Sequence, residues 1–229
     1  MNTIDIIVPV YNEKQTLEQV IQQIEDLDFC GLKKRLILVD DCSTDGSREI
    51  LEKLKNHSVF FHDRNLGKGA ALCTGIQKST ADIIVFQDAD LEYNPKDYQK
   101  ILPDLINNKA AVIYGSRLKN TNNEKNFLKS TLFANKLLTF LANKLYGCKL
   151  TDIETCYKAF RHDVIKNINI KSKKFEIEIE ITAKLIKKGY KIKEFPISYN
   201  GRSFHQGKKI TVFDGLHAVF ALFYYRFFN

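Results

Sequence analysis

Five short apolar runs, each followed by a stretch with helical spacing, constrain this chain more than any other feature. The runs cover residues 4–10, 36–39, 59–62, 83–86 and 110–114, and their length and β-branched content read as buried strands. After the first, Leu17, Val20, Ile21, Ile24 and Leu27 recur at the spacing of one helical face. Ser43-Thr44-Asp45-Gly46 supplies turn and N-cap chemistry ahead of a helix carrying Ile50, Leu51 and Leu54. Helices over 67–79 and 96–106 complete the alternation. Repeated strand–helix units predict an α/β fold, a mostly parallel central sheet with helices on both faces. After Gly115 the pattern becomes a long helix over 126–146, a short strand at 156–161, a helix over 175–188 and an edge strand within 190–199. A Gly- and Lys-rich loop (201–209) then leads to an amphipathic aromatic segment over 212–229. No linker or internal repeat interrupts the pattern, which reads as one domain over residues 1–229.

In an open α/β sheet, ligands bind in the crevice beyond the carboxyl ends of the strands. Asp88-Ala89-Asp90 directly follows the run 83–86 and so falls on that rim. Two carboxylates one residue apart are hard oxygen donors, suited to Mg²⁺ or Mn²⁺ carrying substrate phosphates; as a bare pattern they equally suit an acidic turn that ends a strand. Lys and Arg outnumber Asp and Glu by 35 to 27, a formal charge of +8. That balance favours phosphorylated substrates or anionic lipid. Nucleic acid is excluded as a partner, since no aromatic-studded basic module, zinc spacing or low-complexity arm accompanies the charge. The five cysteines show no C-x-x-C or metal spacing and read as reduced thiols of a cytosolic protein. The amino terminus enters a strand at once, leaving no room for a signal peptide, and no apolar stretch is long enough to span a bilayer.

Four segments fall on the same rim: Pro9-Val10-Tyr11-Asn12-Glu13, Asp40-Asp41-Cys42-Ser43, Asn65-Leu66-Gly67-Lys68-Gly69 and Asp88-Ala89-Asp90. They bring together a ring, carboxylates, a basic Gly-rich turn and a metal site, which is what a nucleoside diphosphate requires. With Gly115-Ser116-Arg117, Cys156-Tyr157-Lys158 and the 201–209 loop, these motifs run in order over nearly the whole chain. The ordered set resembles the family 2 glycosyltransferases, most closely their dolichyl-phosphate mannosyltransferase-like branch. The resemblance implies a GT-A (Rossmann-like) fold and a GDP- or UDP-linked sugar donor. It also implies that Pro9, Tyr11, Glu13, Asp41 and Lys68 hold the donor, and that Asp88, Asp90 and Glu92 manage the Mg²⁺ or Mn²⁺ ion and the diphosphate. Arg117, Lys129, Arg202 and Lys209 would hold an acceptor phosphate. Asp152, in Thr151-Asp152-Ile153-Glu154, is the candidate base if the acceptor is a hydroxyl.

Each residue has a plainer alternative. Tyr11 can pack on the first strand, Asn12-Glu13 can start a helix, Lys68 can be a solvated lysine in a first helical turn, Arg117 can be a surface residue and Asp152 can cap a turn. The five histidines show no triad or metal spacing and read as structural or surface residues. Glu176, Glu178 and Glu180 alternate with isoleucines, yet Ala183-Lys184-Leu185-Ile186 favours a helix with these acids on its solvated face. On the 126–146 helix, Phe127, Leu137, Leu138, Leu141 and Leu145 are expected to face the core. Leu132, Phe133 and Phe140 interrupt a lysine-bearing opposite side, which suits either packing on both sides or an interfacial helix. The expected activity is inverting, metal-dependent transfer of a sugar to a polyprenyl phosphate, by a peripheral protein at the cytoplasmic face of the membrane acting in cell-envelope synthesis. The rivals are glycosylation of a saccharide hydroxyl and a non-catalytic nucleotide-sugar-binding module.

Overall fold

In the computed structural model, which describes residues 1–202 and 212–228, the expected alternation is present. Strands β1 (Thr3–Val10), β2 (Lys33–Asp40), β3 (Ser58–Phe61), β4 (Ile83–Phe86) and β5 (Val112–Ser116) alternate with helices α1 (Leu17–Glu25), α2 (Ser47–Glu52), α3 (Lys68–Lys78) and α4 (Tyr98–Ile106). The second half adds α5 (Lys129–Tyr146), β6 (Lys158–Arg161), α6 (His162–Lys166), α7 (Ile177–Lys187), β7 (Ile192–Pro196) and α8 (Val212–Phe227). The seven strands form one sheet in the order β3-β2-β1-β4-β6-β5-β7. All run parallel except β6, which is antiparallel to both β4 and β5. The start of β6 therefore shares a rim with the carboxyl ends of its neighbours, a reversal that the sequence pattern did not foretell.

The two faces of the sheet follow from strand alternation. Ile4, Ile6, Val8 and Val10 of β1 pack with Leu17, Val20, Ile21 and Ile24 of α1 and with Ile101, Leu102 and Leu105 of α4. Ile7, Ile37, Val39, Ile84 and Phe86 face the other way, onto Ala71, Leu72 and Ile76 of α3 and Ile177, Ile181 and Leu185 of α7. A Cβ on Gly75 would meet Ile7 at 2.3 Å, so glycine there sets how closely α3 approaches β1.

Three expectations need correction. The long helix begins at Lys129; residues ahead of it form a 3₁₀ turn (Thr121–Asn126) and an extended step, and Phe127 reaches the core from that step. Its buried stripe runs through Asn135, Leu138 and Ala142. Leu137 consequently falls outside it and is 45% exposed, while Leu132 packs partly against the core. The acids of α7 do not face solvent: Glu178 and Glu180 are buried. The reason is that α7 is covered twice, by the sheet through Ile177 and Ile181 and by α5 and α8 through Ile179 and Ala183. Glu180 is compensated by Lys184 at 2.5 Å and the backbone N–H groups of Lys171 and Ser172, as a buried carboxylate must be.

Candidate active site

A cleft of about 430 Å³ opens on the rim, within the size range of small-molecule sites. It is lined by Pro9, Tyr11, Glu13, Asp41, Lys68, Asp88, Asp90, Glu92, Arg117 and Arg202, among others. Sequence-distant segments converge because each leaves the same edge of the sheet: Asp41 after β2, Tyr11 and Glu13 after β1, Asp88 and Asp90 after β4, Arg117 after β5, and Arg202 beyond β7. Asn12 and Leu91 adopt left-handed backbone, φ 51° and 60°, conformations disfavoured for residues with a Cβ and frequent where a site must be held in shape.

At the β2 end, the buried Asp41 organises the loop beside it. One oxygen accepts from His62 Nδ1 and Leu66 N, each at 2.8 Å, and the other from Gly67 N at 2.7 Å. His62 is thus structural, as expected. Gly67 has φ 98°, and a Cβ on it would sit 2.4 Å from the Lys173 carbonyl. Ala70 N donates to that same carbonyl at 3.0 Å, so the start of α3 is fastened to the segment that brings Lys174 and Phe175 into the cleft.

At the β4 end the carboxylates face internal cations. Lys68 Nζ lies 2.6 Å from Asp88 Oδ1 and 4.0 Å from Glu178 Oε1, and is not a solvated lysine. Burial opposes the Asp88 charge, but Lys68 outweighs it and holds the carboxyl below its usual range. Asp90 is raised to about 7 by burial and by the neighbouring charges of Asp88 and Glu92. Arg202 bridges the loops after β1 and β4: Nη2 is 2.6 Å from Asp90 Oδ2, and Nη1 is 2.9 Å from Glu13 Oε2. Glu92 accepts from the Arg202 backbone N at 2.8 Å and from the Tyr199 hydroxyl at 3.2 Å, so its carboxylate tethers the 199–202 segment. Among the described residues no set of three acids, histidines or cysteines is gathered as a metal shell. The donor chemistry of Asp88 and Asp90 nevertheless fits a hard divalent cation, since two convergent carboxylates already draw positive groups to that spot.

At the β5 end Arg117 is buried, its guanidinium beside the paired rings of Phe127 and Tyr199, whose centroids lie 5.4 and 5.2 Å from it and 4.6 Å from each other. Its Nε and Nη2 each lie 2.7 Å from an oxygen of Asp152. Asp152 is fully buried, also takes hydrogen bonds from Arg117 N and Asn135 Nδ2, and is not among the residues lining the cleft. Burial disfavours its charge, yet Arg117 and Asn135 hold its pKa below normal. The structure therefore places Asp152 as the counter-ion that orients Arg117, a poor position for the general base that a hydroxyl acceptor would require of it. Lys129 opens α5 as an exposed residue outside the cleft lining; Lys208 and Lys209 lie outside the described residues. Glu154, Thr131, Lys174, Phe175, Tyr93 and Tyr199 also line the cleft, beyond the residues expected from the sequence. Of these only Glu154 carried a signal, two residues after Asp152 at the entry to β6.

A second surface is defined by what it exposes. Among the described residues, the large apolar side chains open to solvent are Leu128, Phe133, Leu137, Phe140, Leu216, Phe220, Phe223, Tyr224, Phe227 and Phe228. All belong to α5, α8 or the residue flanking either. These helices pack on each other through Leu138, Ala142, Ala218, Ala221 and Leu222. No described helix is long and apolar enough to cross a membrane.

Comparison with known proteins bears directly on this arrangement. Residues 5–168 match the model of "Glycosyl transferase family 2". The chain belongs to that family. It is 27% identical over 230 residues to a UDP-N-acetylglucosamine–dolichyl-phosphate N-acetylglucosaminyltransferase of Methanococcus voltae, covering 90% of each protein. It is also 27% identical to a dolichol-phosphate mannosyltransferase of Pyrococcus furiosus, covering 96% of this chain and 63% of that longer one. Among solved structures, glucosyl-3-phosphoglycerate synthase from Mycobacterium tuberculosis in complex with UDP superimposes with a TM-score of 0.72 at 19% identity, over 98% of this chain and 80% of that one. The fold of this glycosyltransferase is accordingly GT-A. Other crystals of that synthase contain Mn²⁺ or Mg²⁺ together with UDP.

Proposed function

We propose that this family 2 glycosyltransferase moves a sugar, with inversion, from a GDP- or UDP-linked donor to a polyprenyl phosphate at a membrane surface. The observation that carries this reading is where the apolar surface begins. Leu128 is exposed, while Phe127 touches Arg117 and Thr131 lines the cleft. The apolar face of α5 and α8 thus starts at the mouth of the site. Contiguous exposed apolar area marks an interaction surface, and aromatic stripes beside lysines suit an anionic lipid interface. On α5, Phe133, Leu137 and Phe140 fall at i, i+4 and i+7, with Lys136 and Lys144 nearby. The surrounding chemistry agrees. A phosphate monoester is already anionic and needs cations more than a base, and Arg117 and Arg202 supply them. The dolichyl-phosphate relatives support the same acceptor class. In this reading the protein is peripheral, on the membrane side where sugar nucleotides are available, the cytoplasmic one.

In the proposed reaction an oxygen of the lipid phosphate attacks the anomeric carbon. The bond from that carbon to the diphosphate breaks, and the charge passes to the departing nucleoside diphosphate, so no proton moves. Pro9, Tyr11 and Asp41 border the base and ribose, and Lys68 sits beside the phosphates. Mg²⁺ or Mn²⁺ held by Asp88 and Asp90 would offset charge on the leaving group. Arg202, bonded to both Glu13 and Asp90, is placed to exchange those carboxylates for substrate phosphate. A second reading, transfer to a saccharide hydroxyl, is favoured by one observation: Glu154 lines the cleft with its pKa raised to about 7 by burial and by Glu178, a value suited to a general base. Incubation with GDP-mannose, UDP-glucose and UDP-N-acetylglucosamine, Mn²⁺, and polyprenyl phosphate in vesicles tests the two. A lipid-linked sugar is the expected product; transfer to saccharides with none to lipid phosphate would overturn the proposal.

A further inference from the structure

Among the acids that line the cleft, one carries a buried oxygen without a hydrogen-bond partner among the described residues. Asp88 faces Lys68, and Asp90 and Glu13 face Arg202; Glu178, outside the lining, meets Lys158 through Oε2, and its Oε1, also without a hydrogen-bond partner, has Lys68 4.0 Å away. Glu154 Oε1 is buried and has no hydrogen-bond partner among the described residues. A buried carboxylate oxygen without a partner costs free energy unless something else occupies it. The sheet order says what that could be. Along the rim Asp41 follows β2, Glu13 follows β1, Asp88 and Asp90 follow β4, Glu154 precedes β6 and Arg117 follows β5, in steps of about 4.8 Å per strand. A donor whose base lies at the β2 end and whose diphosphate lies at β4 brings its sugar to β6, one strand short of the acceptor cation on β5. A phosphate of either substrate is disfavoured beside Glu154 by like charge, whereas a neutral polyhydroxylated ring offers the hydroxyl groups that a lone carboxyl oxygen lacks.

We infer that Glu154 is a sugar-recognition residue, hydrogen-bonded through Oε1 to a hydroxyl of the donor hexose and so a determinant of which sugar is transferred. This rests on the donor assignment above and goes beyond it, since it separates recognition of the sugar from that of the nucleotide. Ionised, the carboxylate accepts from a hydroxyl; protonated, which its raised pKa permits near neutral pH, it also donates. The groups facing it are Glu178 on α7, Lys158 on β6, Arg117 after β5 and Asp152 on its own loop.

Calorimetric titration with UDP, GDP, UDP-glucose, UDP-N-acetylglucosamine and GDP-mannose in Mn²⁺, run on wild type, Glu154→Gln and Glu154→Ala, tests the inference. For whichever sugar nucleotide wild type binds best, Glu154→Ala is expected to weaken binding about tenfold, the loss of one hydrogen bond to a carboxylate. Affinity for the matching diphosphate should be unchanged, and Glu154→Gln should fall between. Equal loss of sugar nucleotide and diphosphate would overturn the inference, as would no loss of either. Unchanged donor binding with turnover abolished in Glu154→Gln would also overturn it, and would make Glu154 the base of a hydroxyl acceptor. Wild type that binds none of the five nucleotides would instead overturn the donor assignment itself.

Discussion

The two ends of the cleft are built by opposite means. At the β1, β2 and β4 end each functional side chain lies within a few residues of the strand that carries it, and its partners are mostly backbone N–H groups and single cations. At the β5 end, Arg117 is held by Asp152, which is 35 positions away and anchored by Asn135 on α5. Its ring neighbours, Phe127 and Tyr199, come from either side of the second half. Apart from Arg202, which reaches Glu13 and Asp90 from beyond β7, the β1, β2 and β4 end is specified by contiguous motifs and the β5 end by tertiary packing, so a substitution should act locally at one and structurally at the other.

The sharpest way to break that contrast is Asp152→Asn. Removing one partner of a buried bidentate pair costs about 3–5 kcal/mol, and the variant should melt well below wild type in a urea or thermal titration. A melt unchanged within error would mean that Arg117 is not structurally dependent on it. Asp90→Ala should do the reverse, keeping the wild-type melt while transfer falls by about 10²–10³, the usual loss when charge stabilisation at a leaving group is removed. Full turnover in that variant, or in wild type with excess EDTA, would remove the carboxylate pair from the mechanism.

Replacing Phe133, Leu137 and Phe140 with Ser probes the apolar face. A fully buried apolar side chain is worth about 1.5–3 kcal/mol and a half-immersed one roughly half that, so sedimentation with anionic vesicles should drop strongly while stability holds. A stable variant that still sediments like wild type would leave α8 as the only candidate for lipid contact. The smallest effect is expected for Arg202→Ala. Without the guanidinium on Asp90 and Glu13, Mn²⁺ should bind the free enzyme several-fold more tightly, although KM for the lipid phosphate rises. Weaker Mn²⁺ binding would show that Arg202 shapes the carboxylates and does not compete for them.

How far the sequence could be read follows the same division. The strand runs, Asp88 and Asp90, and the Gly67-Lys68-Gly69 turn were legible because each is a local pattern with local chemistry. Asp152 is legible as important while its role stays open, since an acid near a site and an acid beneath it look alike until its partner is known. The α7 acids were assigned to solvent because periodicity describes one buried face, whereas α7 is enclosed by two layers. Leu132 and Leu137 exchanged places for a related reason: the phase of a helical stripe is fixed by the element that covers it, and α8 could not be positioned in advance. Glu154 shows in the sequence only as a second acid two residues after Asp152; its significance lies in a missing partner, which that spacing does not reveal.

The seam between α5, α7 and α8 is lined by Ala142, Ala183, Ala218 and Ala221, side chains of one methyl each. Since α7 also carries Glu178, 4.0 Å from the cleft-lining Lys68, the thickness of that seam sets how far the aromatic stripes stand from the cleft. Leucine at Ala218 or Ala221 would act as a shim, replacing no residue of the cleft lining while changing the reach of a chain end presented to the site from a bilayer.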